Sequence, residues 1–270
     1  MPAGMPDSLA ERYAIVRERV ANAARKSGRR AEDVILVAVT KYADPEQIRE
    51  ILALGHRDLG ENRVQQLVQR AAMVEDYLER LAVLPTSKHS AGEKKHAVAA
   101  EGVRWHMIGH LQRNKARKVA EIARLVHSVD SLRVAEELQA VALKRDQVID
   151  VLVQVNCSGE ESKFGCPIPA AIPLAEQIST MINVRVRGLM TMAAYSDKPE
   201  DARPTFARCR ELFDEMLAKN VVEGQFNLLS MGMSGDYEVA ISEGANIVRV
   251  GSQIFGEPVQ HEDDPNDSED

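Results

Sequence analysis

Two hundred and seventy residues, 44% of them hydrophobic, suffice for one α/β barrel or two small domains. A net charge of −7 and an aromatic content of 4% argue against a nucleic-acid surface with base-stacking platforms. No apolar run reaches the roughly 18 residues of a membrane span, and Met1-Pro2-Ala3-Gly4-Met5-Pro6-Asp7 lacks the basic-then-apolar order of a signal peptide.

In chain order, strands and helices alternate. Ser8 and Glu11 suggest a capping box, after which Leu9, Tyr13, Val16 and Val20 recur at helical spacing until Gly28. Residues 34–41 form an apolar, β-branched run closed by Lys41. Asp44-Pro45 opens a helix that stops at Gly55. Further strands are expected at 57–60, 104–109, 125–130, 151–156, 186–191, 226–230 and 247–251. Between them lie helical patterns, including one with Val64, Leu67, Val68, Ala71 and Leu78 on one face and others over 131–144 and 206–217. Eight βα units in about 250 residues predict a single (β/α)8 barrel. The competing doubly wound sheet has no Gly-x-Gly-x-x-Gly after its first strand to support dinucleotide binding.

The organisation expected is a flexible terminus over 1–8, a barrel over 9–257 and an acidic, disordered tail over 258–270. Residues 85–102 read as a solvated insertion, whose His89 and His96 sit in a Lys-rich context unsuited to metal binding. Cys157, Cys166 and Cys209 are odd in number without CxxC spacing, which fits reduced thiols in a cytoplasmic protein.

A barrel gathers its chemistry at the carboxyl ends of its strands. Lys41 stands at such an end, where desolvation can free the amine to form an imine with an aldehyde. Alone, it would read as a strand-terminal lysine reaching solvent. The loops after the last two strands carry Ser234, ahead of a short helical segment, and Gly251-Ser252. Taken singly, Ser234 is a helix cap and Gly251 a turn residue; together they suggest a phosphate cup. A lysine and a phosphate cup on opposite sides of one mouth suggest pyridoxal 5′-phosphate. Arg249, two residues before Gly251, faces the same interior, either as an ion-pair partner or beside the pyridine nitrogen.

These motifs resemble those of the pyridoxal phosphate homeostasis proteins. The similarity is carried by Ala38-Val39-Thr40-Lys41, Gly60-Glu61-Asn62 and the runs 105–115, 187–192, 229–234 and 248–256, and it spans about residues 9–257. It implies a barrel like the N-terminal domain of alanine racemase, with Lys41 holding the cofactor as an internal aldimine. Ser234, Gly251 and Ser252 are implied as phosphate ligands, Arg249 at the pyridine nitrogen, Asn62 near the ring, and Ser230 among the cofactor-binding residues. No catalytic residue and no metal ligand is implied. The role is cofactor homeostasis without established turnover, in a monomer whose partners would be apo-enzymes that need the cofactor.

Tyr42 and the 85–102 insertion depart from the family pattern, and Tyr42 could narrow the mouth. The run 156–165 keeps the pattern and supplies Lys163, either a second amine for the aldehyde or a cap on a surface loop. The main rival is a single-domain amino-acid racemase. It needs an opposite-face acid, for which Tyr195 and Tyr237 are candidates, and only about 14 residues follow Gly256. An aldolase-like enzyme would need an acid/base pair, with Glu61 and Asp130 as candidates.

Overall fold

The structure, a computed structural model, describes residues 8–83, 102–160 and 162–256. The expectations for 1–7, 85–101 and 257–270, including His89 and His96, fall outside the described residues.

Strands β1 (Ile35–Val39), β2 (Asp58–Glu61), β3 (Arg104–Met107), β4 (Ala123–Val129), β5 (Ile149–Asn156), β7 (Val184–Met190), β8 (Leu228–Ser230) and β9 (Ile247–Val250) are all parallel. They run β4-β3-β2-β1-β9-β8-β7-β5, and pairing of β4 with β5 closes the barrel. A two-residue strand, β6 (Cys166–Pro167), adds to the carboxyl end of β5. Strand ends differ by at most two residues from the sequence expectation, since an apolar run marks burial rather than the first and last paired residue. Val34 and Lys41, for example, flank β1 rather than belong to it.

Both faces of each strand are buried, which is why the strands read as continuous apolar runs. Outward side chains pack under the helices in one large core. Inward, Val37, Leu125, Leu152, Met190 and Ile247 fill the lumen, each worth about 1.5–3 kcal/mol when buried. Two residues further along their strands, the lumen turns polar: His127, Ser230 and Arg249 are all buried. At the amino end, Asp150 accepts from Arg185 Nε at 2.7 Å and Arg187 Nη1 at 2.9 Å, closing the floor with charge pairs.

Helix Leu9–Lys26 starts at Ser8, whose Oγ accepts from the Glu11 N–H at 3.2 Å, so one arm of the expected capping box is made. Asp44 and Gln47 form a complete box at the head of helix Pro45–Ala53. The first helix also ties down the last strand-to-helix connection: Arg12 Nε donates to Ile254 O at 2.8 Å, and Arg19 pairs with Glu238 at 2.8 Å. Among the described residues, no helix is long and apolar enough to cross a membrane, and no cluster of three acidic, His or Cys side chains could hold a metal.

Candidate functional site at the carboxyl mouth of the barrel

Lys41 and Tyr42 occupy the tip of a turn closed by Ala43 N–H to Thr40 O at 2.8 Å. Arg70, from helix Val64–Val83, grips this turn from outside. Its guanidinium donates to the carbonyls of Thr40, Lys41 and Ala43 and to Glu61 Oε1. The Thr40 hydroxyl donates to the same carboxylate oxygen. Burial pushes the Glu61 carboxyl above its ordinary range against the pull of Thr40 and Arg70. The lysine is thus carried by a braced turn rather than a loose loop. Its ammonium has no carboxylate partner among the described residues and lies 4.7 Å from the centroid of the half-exposed Tyr42 ring. Tyr42 therefore flanks the amine as a rim group.

The remaining expected residues converge on the same mouth, with two corrections. First, barrel closure sets β9 directly beside β1, with Val37 opposite Arg249 and Ala38 opposite Val250. A Cβ on Gly251 would lie 3.2 Å from Val39 O. Lys41 and Gly251-Ser252 therefore stand on neighbouring strands, not on opposite sides of the mouth. Second, Ser234 does not cap helix Tyr237–Ser242. Asp236 Oδ1 accepts from the Met233 N–H at 2.6 Å, whereas Ser234 Oγ accepts from the Gly251 N–H at 3.2 Å. Gln253 Nε2 donates to Ser234 O at 2.6 Å, so the two loops are stitched into one surface.

Arg249 is buried and has no carboxylate within ion-pair distance among the described residues, which removes the ion-pair alternative. Nη1 donates to Ser230 Oγ at 2.5 Å and Nη2 to Thr191 O at 3.0 Å. Burial pulls its pKa down to about 10, still leaving a cation at neutral pH, with the nearby Asp236 charge supporting it. Asn62, half-buried, presents a buried Oδ1 with no hydrogen-bond partner. Gly109 packs so tightly behind it that an added Cβ would fall 1.9 Å from Asn62 O.

Lys163 lies on the loop after β5, 4.0 Å from Glu160, and Asn156 Nδ2 organises that loop through Glu160 O and Lys163 O. Tyr195 is 90% exposed and donates to Asp197, while Tyr237 is buried and donates to Gln253 Oε1 at 3.2 Å. Glu61 is committed to Arg70 and Thr40, and Asp130 lies 3.6 Å from His110, so the two carboxylates hold separate partners. Sequence reasoning missed Arg70, Thr191, His106 and His127. The histidines left a trace, as polar residues inside apolar strand runs. Arg70 left none, since an arginine on a helix surface is unremarkable.

The mouth thus offers an amine without a counter-ion, a buried guanidinium, two hydroxyls and an orphaned amide oxygen. That donor set fits a phosphorylated aromatic aldehyde. Fold and site together define a barrel of the alanine racemase N-terminal class, whose sequence profile matches residues 15–258. Alanine racemase from Clostridium difficile shares the fold at a TM-score of 0.64 and 14% identity, over 94% of this chain and 58% of that one. The chain belongs to the pyridoxal phosphate homeostasis protein family. It is 38% identical to the Aquifex aeolicus member over 92% of this chain and 97% of that protein, and 38% identical to the Pseudomonas aeruginosa member over 92% and 95%. The solved structure of PipY from Synechococcus elongatus with PLP bound matches at a TM-score of 0.72 and 31% identity, over 92% of this chain and all of that one.

Proposed function

We propose that this protein binds pyridoxal 5′-phosphate covalently through Lys41 and serves to hold and release the cofactor within the cell, without amino-acid turnover. The single observation that carries the reading is the unpaired Lys41 amine on a braced turn beside the loops of Ser234 and Gly251. When bound, the cofactor supplies an aldehyde for the amine and a ring able to spread negative charge from a substrate carbon. Ser234 and Ser252 take the phosphate beside the close backbone of Gly251, Asn62 meets the ring edge with its unpartnered oxygen, and Arg249 stands at the ring nitrogen. Ser230 serves by holding Arg249. A guanidinium remains protonated at neutral pH, so it leaves that nitrogen without a proton and weakens the ring as an electron sink.

Two features favour a holding role over the racemase. Neither tyrosine candidate is an available acid: Tyr195 points into solvent, and burial pushes the Tyr237 hydroxyl up to about 12. The natural partners of such a holder are apo-enzymes that require the cofactor, and a monomer leaves the mouth accessible to them.

The test is absorbance and borohydride reduction of the protein with added pyridoxal 5′-phosphate. A visible band and a reducible adduct are expected in the wild type, and neither in Lys41→Ala, whose circular dichroism should be unchanged. A full adduct on Lys41→Ala would transfer the assignment to Lys163. Exchange of the α-hydrogen of L-alanine in deuterated water at about 1 s⁻¹, the low end of ordinary turnover, with D-isomer formed in step, would make the protein a racemase.

A further inference from the structure

A row of buried polar side chains crosses the barrel lumen from its floor to the mouth. At the floor, Asp58 opens β2 and Arg104 opens β3, joined by Arg104 Nη2 to Asp58 Oδ2 at 2.7 Å. His106 Nε2 lies 3.1 Å from Asp58 Oδ1, and His106 Nδ1 lies 2.9 Å from His127 Nε2. His127 Nδ1 lies 2.9 Å from Ser230 Oγ, which accepts from Arg249 Nη1 at 2.5 Å. Both imidazoles are buried, with Trp105 and Met107 flanking His106 along β3 and the apolar lumen layer below His127.

With both imidazoles neutral, the two ends decide every proton in between. Arg249 can only donate. Asp58 can only accept while it is ionised. Burial opposes its charge, but hydrogen bonds from Arg104 and His106 outweigh that and hold the carboxyl below its ordinary range. His106 must therefore carry its proton on Nε2, which leaves Nδ1 as an acceptor. His127 must then donate from Nε2, which leaves its own Nδ1 to accept from the Ser230 hydroxyl. That hydroxyl accepts from Arg249 with a lone pair. With neutral imidazoles this is the one assignment that makes all four bonds. Burial first, with the Arg249 charge beside it, keeps His127 well below its ordinary range, in agreement with a neutral ring.

We propose that His106 and His127 are positioning residues for the cofactor-nitrogen subsite, forming a one-directional hydrogen-bond chain that fixes the Arg249 guanidinium against an anchor at the opposite face of the barrel. The role rests on the cofactor reading given above. Because Ser230 spends its only proton on His127, it can offer the mouth no donor, and the guanidinium alone faces the ring nitrogen. The charged groups that bear on the chain are Asp58 and Arg104 at the floor and Arg249 with Asp236 at the mouth. Such chains also polarise one another, so a change at Asp58 reaches Arg249 through three intervening side chains.

The test begins with nitrogen-15 spectra of the histidine rings in the ligand-free wild type, which report tautomers without any cofactor. Both His106 and His127 are expected with the proton on Nε2. An Nδ1–H ring at either position overturns the chain, even if the cofactor binds. The second arm compares Asp58→Asn with Arg104→Gln. Asparagine can present either a donor or an acceptor to His106, so His127 should become a mixture of tautomers. Affinity for pyridoxal 5′-phosphate should then fall about three- to ten-fold, although no contact at the mouth has changed. Arg104→Gln removes the other floor partner and should leave both the tautomers and the affinity near wild type. Equal losses of affinity in both variants with His127 unmoved would mean simple structural damage and would overturn the proposal. Ser230→Ala, which cuts the chain at its mouth end, serves if Asp58→Asn does not fold: affinity should fall by a similar factor while Asp58 keeps both rings on Nε2, and a shift of either tautomer there would overturn the chain. A wild type that forms no visible adduct overturns the cofactor reading and this role together, whereas an intact adduct with the wrong tautomers overturns this inference alone.

Discussion

Arg70→Met removes the guanidinium that braces the lysine turn while keeping most of its aliphatic bulk. The Glu61 side chain is wholly buried and Arg70 is 17% exposed, so the carboxylate loses the only charged partner it has among the described residues, with no access to water. One of its oxygens already lacks a hydrogen-bond partner. Breaking a buried pair from one side costs about 3–5 kcal/mol, which for a domain of this size lowers Tm by about 6–20 °C. The released carbonyls of Thr40, Lys41 and Ala43 add to that cost, but they are neutral, so the buried charge of Glu61 dominates. The cost must also depend on pH. The folded-state pKa of Glu61 is already raised by burial, and losing Arg70 raises it further. A carboxyl of that kind stabilises the fold in its protonated form, below its unfolded value near 4.3, and loses that contribution as pH rises through the folded pKa. The loss should therefore be full at pH 8 and shrink toward about 1 kcal/mol, the worth of an ordinary hydrogen bond, in acid. Urea unfolding followed by circular dichroism at pH 5 and pH 8 measures it, with Glu61→Gln and the double variant completing a cycle. A pH-independent loss that is additive with Glu61→Gln would refute the account of the brace.

Ser234→Ala should weaken pyridoxal 5′-phosphate by about ten-fold or more, since a hydrogen bond to a charged oxygen is worth about 1.5–3 kcal/mol; a fluorescence titration reads the change, and equal wild-type affinities for pyridoxal and its phosphate would count against the cup. Gly109→Ala drives a methyl to within 1.9 Å of Asn62 O and should cost about 1–3 kcal/mol by calorimetry while loosening the cofactor. His56, buried between the Tyr13 hydroxyl at 3.0 Å and Asp58 O at 2.9 Å, has its pKa lowered to about 4, chiefly by burial. Its folded pKa lies below the unfolded value, so its contribution is present above pH 6.5 and is lost as pH falls toward 4. The loss is about 3 kcal/mol, and His56→Gln should flatten that part of the pH–stability curve.

The sequence by itself determined the eight βα units, the helix starts at Ser8 and Asp44, and the strand ends that bear Lys41, Asn62, Arg249 and Gly251. These are local facts: a parallel strand buried on both faces must be a continuous apolar run, and a helix must satisfy its first amides nearby. The tertiary structure alone decided what those residues touch. Closure set β9 against β1, so Lys41 and Gly251 became neighbours. Ser234, which reads locally as a cap, took the Gly251 N–H instead, because the adjoining loop brought a donor closer and Asp236 already served the turn. His127 and Ser230 bond across 103 residues of chain, and Arg70 reaches back 29 residues to Lys41. A hydrogen bond of that kind has no period and no spacing in the sequence, because its partners are brought together only by the curvature of a closed sheet.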